Sequence, residues 1–185
     1  MCRYATAYKS HYACFSCRKT FKRKLLRDIK GGDSKDLIET TAKCTECNAP
    51  MADMGLDFEA PKKQDIKAWK HIANLYTVGI TFHSCGCTGP GYIPNNKEAL
   101  INHLSKIKEA YQKHQFFWIN RKENPKTQSE IARDQHYNRA FFNQVPKKVK
   151  IGTKNSPEYN STEAQIYWSK KIADVEEKIT EIKTK

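Results

Sequence analysis

Two cysteine pairs in the first third of the chain have the spacing of metal-binding turns. Each pair has the form C-x-x-C, and the four thiols belong to Cys14, Cys17, Cys44 and Cys47. Such a pair wraps one tight turn, so that both sulfurs point toward the same ion, and two turns complete a tetrahedron. Four thiolates select zinc, with iron in a rubredoxin-like site as the less favoured alternative. Because they leave no open position for water, the sequence predicts a structural ion and no catalytic one.

A redox or disulfide role for the two cysteine pairs fits the sequence less well than metal binding. A thioredoxin-like redox pair belongs in a βαβ unit, and no such pattern surrounds either pair. The chain begins without the apolar run of a signal peptide and has no stretch near the roughly 18 apolar residues of a membrane helix. We therefore expect a cytoplasmic protein without membrane contact, in a reducing compartment where paired cysteines bind metal.

A dense run of basic residues begins at the first cysteine pair. Its members are Arg18, Lys19, Lys22, Arg23, Lys24, Arg27 and Lys30, and Asp28 is the only acid among them. A basic hairpin of this kind could contact nucleic-acid phosphates, with nearby aromatic rings to stack on bases. A solvated sheet edge, on which lysines prevent strand aggregation, accounts for the run about as well.

The charge of the whole chain allows a similar pair of interpretations. The formal net charge is +13 over 185 residues, which attracts polyanions such as RNA and DNA. Lys supplies most of the 33 basic residues, and an AT-rich genome produces such a bias without selection for binding. Since Lys distinguishes base edges less well than Arg does, any nucleic-acid binding is expected to be non-specific.

A third group of candidate ligands lies in a glycine-rich stretch. His83, Cys85 and Cys87 fall within five residues. They could form a second metal site, a thiol activated by His83, or a backbone nest for phosphate. The fourth ligand of a metal site would come from Cys2, His11 or His71. A tight connection with spectator thiols accounts for the same residues, and we assign no catalytic residue because the chain has no established catalytic motif.

The elements that would position these residues divide the chain into three segments. Residues 1–60 have the turns and short runs of a small antiparallel sheet, residues 61–145 have helical spacing, and residues 146–185 form a basic linker and one helix. Strands are predicted at 20–26, 37–43 and 54–58. Helices are predicted at 61–78, from an Asn95 cap to about residue 120, at 129–143, and from Asn160 onward. The sequence therefore predicts an α+β fold, with a small metal-binding sheet and about four helices.

The last predicted helix carries an apolar seam. Its members recur at alternating steps of four and three, as in a short coiled coil, and are Trp168, Ile172, Val175, Ile179 and Ile182. The seam could pack within the same chain, pair with a second copy, or dock on a protein partner. Packing within the chain is the simplest of these.

The cysteine turns and their surroundings resemble a known class of domain. Residues 12–50 resemble a zinc ribbon, and the run 12–21 together with 44–55 is similar to small uncharacterised bacterial zinc-ribbon proteins. The resemblance implies a rubredoxin-like, zinc-stabilised sheet and a role in ribosomal, transcriptional or protein–protein assemblies. Arg18 and Asn48 stand where such turns usually have glycine, and Asn adopts the left-handed conformation more readily than Arg.

Taken together, the sequence favours a non-enzymatic zinc protein that contacts RNA or DNA, in a ribosomal or transcriptional assembly. One alternative is a protein-interaction module that uses the apolar seam and aromatic residues such as Phe116 and Phe117. Another is an enzyme that uses His83, Cys85 and Cys87.

Overall fold

A computed structural model describes residues 9–24, 42–84, 88–121, 123–153 and 156–184. These residues form strands β1 (Lys9–Cys14), β2 (Lys19–Lys24) and β3 (Ala52–Gly55), helices α1 (Ile66–Thr77), α2 (Lys97–Asn120), α3 (Gln128–Asn143) and α4 (Ser161–Thr184), and a 3-10 turn at Lys147–Val149. The predicted α+β fold, with an N-terminal antiparallel sheet followed by four helices, is confirmed. The chain forms two compact units, Met1–Leu100 and Ile101–Lys185. The division into three segments at residues 60 and 145 stays a prediction.

The sheet of the first unit has β1 at its centre and β2 at one edge. The strand order is β2-β1-β3, and both pairings are antiparallel. β1 pairs with β2 from Lys9 opposite Lys24 to Cys14 opposite Lys19. Because side chains alternate along a strand, β1 directs Ala13 toward one face and Cys14 toward the other.

The predicted strands agree with the structure only in part. The strand expected at 20–26 begins at Lys19, and residues 25–26 lie outside the described residues, as does most of the strand expected at 37–43. The third strand expected at 54–58 is present, but its predicted bounds are wrong, since it spans Ala52–Gly55. It ends there because Gly55 has a φ of 93°, which leaves the extended conformation.

Helix α1 covers one face of the sheet and is shorter than the predicted 61–78. Asp65 caps its first turn by accepting a hydrogen bond from the Ala68 N–H at 2.9 Å, so residues 61–64 precede the helix. Trp69 and Ile72 pack into a core with four residues of the sheet side: Ala13, Ala52, Met54 and Phe58. This core joins α1 to the sheet that holds the cysteine pairs.

After α1 the chain returns along β3. The Phe82 N–H donates to the Met54 carbonyl at 2.7 Å, and the Asp57 N–H donates to the Phe82 carbonyl at 3.2 Å. The Phe82–His83 backbone passes directly over Gly55, where an added Cβ would lie 2.5 Å from the His83 nitrogen. Only glycine leaves room for this close approach.

Helix starts in the rest of the chain follow their predicted caps with one exception. Thr127 and Glu130 form the predicted capping box of α3, and Asn160 accepts from the Glu163 N–H at the start of α4. The predicted Asn95 cap of α2 is wrong. Asn96 takes that role, because its side chain accepts from the Ala99 N–H at 2.8 Å, three residues on.

The second unit has an aromatic core that includes Trp168 of the apolar seam. Its buried residues include Trp118, Phe142, Tyr159 and Trp168, and the Phe142 and Tyr159 rings stack at 4.2 Å. Four of the five seam side chains, all except Ile172, are buried within the chain. A partner at the seam would therefore have to displace residues of this chain.

Candidate metal centre and basic sheet edge

The structure brings the four predicted cysteine ligands together at one end of the sheet. Their Sγ atoms all lie within 4.8 Å of one another. Two of the pairs that join the two turns are Cys14 Sγ and Cys47 Sγ, 3.6 Å apart, and Cys44 Sγ and Cys17 Sγ, 3.9 Å apart. A zinc–sulfur bond of about 2.3 Å gives a tetrahedron with edges of about 3.8 Å. Two of the sulfur–sulfur distances match this edge and the others are at most 4.8 Å, so the cluster is compatible with a tetrahedral metal ion.

The backbone of each turn has the conformation that a metal-binding turn requires. Arg18 and Asn48, which follow the two cysteine pairs, have φ values of 52° and 58°. Both therefore occupy the left-handed position that glycine usually fills, at a conformational cost that is larger for Arg. The Cys17 N–H points at the Cys14 sulfur at 3.5 Å, a contact that favours the thiolate.

The four thiols differ in how readily they ionise. The backbone N–H groups of Cys47 and Glu46 donate to the Cys44 sulfur and lower the pKa of that thiol to about 7. The hydrogen bond with Cys47, followed by burial, raises the pKa of Cys17 to about 12, and burial raises the pKa of Cys14. Because a metal ion binds thiolates, loading the site must release protons, and metal affinity is expected to fall at low pH.

The predicted basic residues fall into two groups in the structure. Lys19 forms an ion pair with Glu46 of the second cysteine turn, so its charge is already compensated. The remaining described residues of β2 that carry charge are Lys22, Arg23 and Lys24, and all three are exposed. We call these three residues, together with Lys9, the basic edge. Arg27 and Lys30 lie outside the described residues.

The cations of the basic edge repel one another in the free protein. Lys9 lies directly opposite Lys24 across the β1–β2 ladder, and both are exposed. Like charges at directly opposed positions destabilise a sheet. Sequence analysis missed Lys9 because its partner depends on the strand register. A bound polyanion would relieve this repulsion.

The third predicted group is only partly within the described residues. His83 Nε2 lies 3.6 Å from a carboxylate oxygen of Asp53, which also accepts hydrogen bonds from the buried Ser10 hydroxyl and the Gly55 N–H. Cys85 and Cys87, like the suggested fourth ligand Cys2, lie outside the described residues. Asp53 was missed because nothing near it in sequence marks it as a partner of His83.

The other two suggested fourth ligands have backbone partners. His11 Nδ1 contacts the Phe58 carbonyl, and His71 Nε2 lies 2.9 Å from the Pro94 carbonyl. Within the described ranges, the four cysteines are the only cluster of His, Cys, Asp and Glu side chains close enough to hold one ion. A second site at His83 stays a prediction.

The aromatic residues suggested as a partner surface line a cleft in the second unit. Phe116 is 69% exposed, and Phe117 stacks on Phe141 at 4.1 Å between α2 and α3. The cleft has a volume of about 1090 Å³. Its rim mixes both charge signs through Glu109, Lys113 and Glu123, so it indicates no particular partner.

Comparison with known proteins adds no family to these observations. No protein-family model matches the chain, and no curated protein or solved structure gives a match. The similarity to zinc ribbons therefore depends on the antiparallel sheet and the four-cysteine cluster. Among the helices of the described residues, none combines the length and apolar character that a membrane crossing needs.

Proposed function

We propose that this protein is a zinc-ribbon protein that binds nucleic-acid phosphates through its basic edge. Zinc would be held by Cys14, Cys17, Cys44 and Cys47 and would fix the sheet without taking part in chemistry. The observation that supports phosphate binding is the arrangement of Lys9, Lys22, Arg23 and Lys24, which are exposed together at the open end of the β1–β2 hairpin. A ribosomal or transcriptional assembly would offer such a phosphate surface.

The position of the basic edge supports phosphate binding over the alternative that its cations only prevent the edge strand from pairing with another sheet. A single lysine is enough to discourage pairing of an edge strand with another sheet. Here three consecutive cations on β2 are joined by a fourth on β1, at a position where like charges oppose folding. In contrast, Lys19 next to the metal turn is neutralised by Glu46. The uncompensated charge is thus concentrated on one part of the hairpin.

The proposal predicts binding that weakens steeply with salt. Each neutralised phosphate changes the slope of log K against log salt by about −0.9 on duplex DNA and about −0.7 on single strands. Four engaged cations would give a slope of about −3.6 on duplex DNA, or roughly a hundredfold loss of affinity between 50 and 200 mM salt. The measurement is fluorescence anisotropy of zinc-loaded protein with a labelled RNA and a labelled DNA duplex.

Two variants with the same change of charge separate the basic edge from the general charge of the chain. The edge variant replaces Lys22, Arg23 and Lys24 by Gln. The control variant replaces three exposed lysines of the second unit by Gln, namely Lys106, Lys126 and Lys170. We expect the edge variant to lose about two to three units of slope and the control variant much less. Equal losses in both, or no binding at 50 mM salt, would contradict the proposal.

A further inference from the structure

Helix α1 carries a second basic surface, which its sequence pattern did not reveal. Lys63 lies shortly before the helix, and Lys67 and Lys70 lie three residues apart within it, a spacing that places both side chains on one helical face. All three are exposed, and no acidic residue occurs within Ile66–Thr77. We call Lys63, Lys67 and Lys70 the helix face.

The apolar side of α1 is already occupied by the protein's own core. Trp69, Ile72 and Leu75 are buried, and Trp69 and Ile72 pack against the sheet. A basic amphipathic helix that binds a lipid surface needs a free apolar face to insert. The exposed large apolar side chains of α1 are Ile66, which is 53% exposed, and Tyr76, which is 40% exposed and contacts the Phe15 ring. The composition of this surface therefore favours phosphates of a nucleic acid over a membrane.

Glu46 neutralises one cation of the β1–β2 hairpin. It lies in the second cysteine turn and forms an ion pair with Lys19 of β2. In the free protein this carboxylate therefore occupies a cation of the hairpin that could otherwise contact a phosphate.

From this arrangement we infer that the helix face binds the same nucleic acid as the basic edge, with Glu46 as an internal competitor for phosphate. The inference rests on the proposed function, because both elements need a polyanionic ligand. Binding at two elements accounts for the uncompensated lysines on the solvent side of α1. Glu46 would hold Lys19 in the free protein and release it when phosphates approach.

A helix variant tests the first part of this inference. It replaces Lys63, Lys67 and Lys70 by Gln, and it is compared with the edge variant and the control variant on the same labelled DNA duplex. Three lost phosphate contacts would reduce the slope of log K against log salt by about 2.7. As a control, the metal content of each variant is measured, and one metal ion per chain would show that its sheet remains folded.

The outcomes separate failure of the inference from failure of the proposed function. A helix variant that behaves like the control variant, while the edge variant loses slope, would overturn the inference and leave the proposed function intact. If the edge variant also behaves like the control variant, both are overturned. Binding to phosphatidylserine vesicles that depends on the helix face, without nucleic-acid binding that depends on it, would assign the surface to lipid and overturn the inference.

A gain of affinity tests the role of Glu46. In Glu46→Gln, one released cation adds a phosphate contact, which is worth about eightfold in affinity at 0.1 M salt. The matched control is Glu59→Gln, which removes an exposed acid from the same unit. We expect Glu46→Gln to bind more tightly and with a steeper salt dependence than Glu59→Gln. Equal affinities of the two variants would refute the role of Glu46 as a competitor.

Discussion

Replacing Gly55 by Ala is expected to detach the chain segment that returns along β3. Gly55 has a φ of 93°, and a Cβ at this position would lie 2.5 Å from both the His83 nitrogen and the Phe82 carbonyl carbon. These are backbone atoms, so no side-chain rotation can relieve the clash. The segment has to move, and with it the contact between His83 and Asp53.

The cost of this substitution can be worked out from the contacts that are lost. A non-glycine residue at positive φ costs about 1–2 kcal/mol, partly offset by the lower entropy of the unfolded chain. Movement of the segment also breaks the two backbone hydrogen bonds of Phe82, at about 1 kcal/mol each. We expect a total loss of about 3–4 kcal/mol in the free energy of unfolding of the first unit.

Gly79→Ala provides the matched control for Gly55→Ala. Gly79 follows α1 with a φ of 86°, but an added Cβ there would meet nothing within 4 Å. Gly79→Ala should therefore cost only about 1 kcal/mol. Amide hydrogen exchange at Phe82 measures the difference, which we expect to be about 30- to 100-fold in exchange rate. Equal rates in the two variants would show that the Phe82–His83 backbone does not lie over Gly55.

Three further predictions concern single residues outside the basic surfaces. Asp134 forms a bidentate, largely buried ion pair with Arg121, at 2.9 and 2.7 Å, so Asp134→Asn should lower the free energy of unfolding by about 2–3 kcal/mol in urea titration. Burial raises the pKa of the Asp134 carboxyl, but the hydrogen bonds and charge of Arg121 outweigh burial and keep this pKa below its usual value. The contribution of the ion pair to the free energy of unfolding should therefore be lost as pH falls below about 4. Burial against aromatic rings lowers the pKa of His114. As pH falls, the unfolded chain therefore takes up a proton at this histidine before the folded protein does, and the free energy of unfolding should decrease below about pH 6.5. His114→Gln should lack this decrease. Arg18→Gly should stabilise the metal-loaded protein by up to about 1 kcal/mol in thermal unfolding. Asn48→Gly should stabilise it by less, because Asn tolerates the left-handed conformation better than Arg does. An equal gain of stability in both variants would contradict the conformational cost assigned to Arg18.

Local chemistry determines which parts of the fold were predictable. The C-x-x-C spacing defines its own turn, so the four cysteines could be assigned to one site before their distances were known. The Thr127–Glu130 capping box is equally local, and the structure has it as predicted. The prediction of a cap fails where two candidate residues are adjacent, as at Asn95 and Asn96. Which of the two caps the helix depends on whether the helix starts one residue earlier or later.

Features that depend on contacts between distant residues could not be predicted. The Lys19–Glu46 ion pair joins two separate turns, so the predicted basic run included Lys19, whose charge is in fact compensated. Lys9 became part of the basic edge only through the register of β1 against β2. The helix face was overlooked because the apolar residues of α1 define the helix, whereas its lysines gain meaning only once that apolar side is known to be covered.

Metal binding and phosphate binding are expected to be coupled through the register of the sheet. β1 ends at Cys14 and β2 begins at Lys19, so the first metal turn determines which residues of the two strands lie opposite each other. A slip of one residue would move every side chain of β2 to the other face of the sheet. Removing the metal ion with a chelator would leave the number of basic residues unchanged but release the turn that fixes their positions. The chelated protein should therefore lose most of the salt-dependent binding assigned to Lys22, Arg23 and Lys24, whereas a general attraction of a basic chain to polyanions would survive chelation.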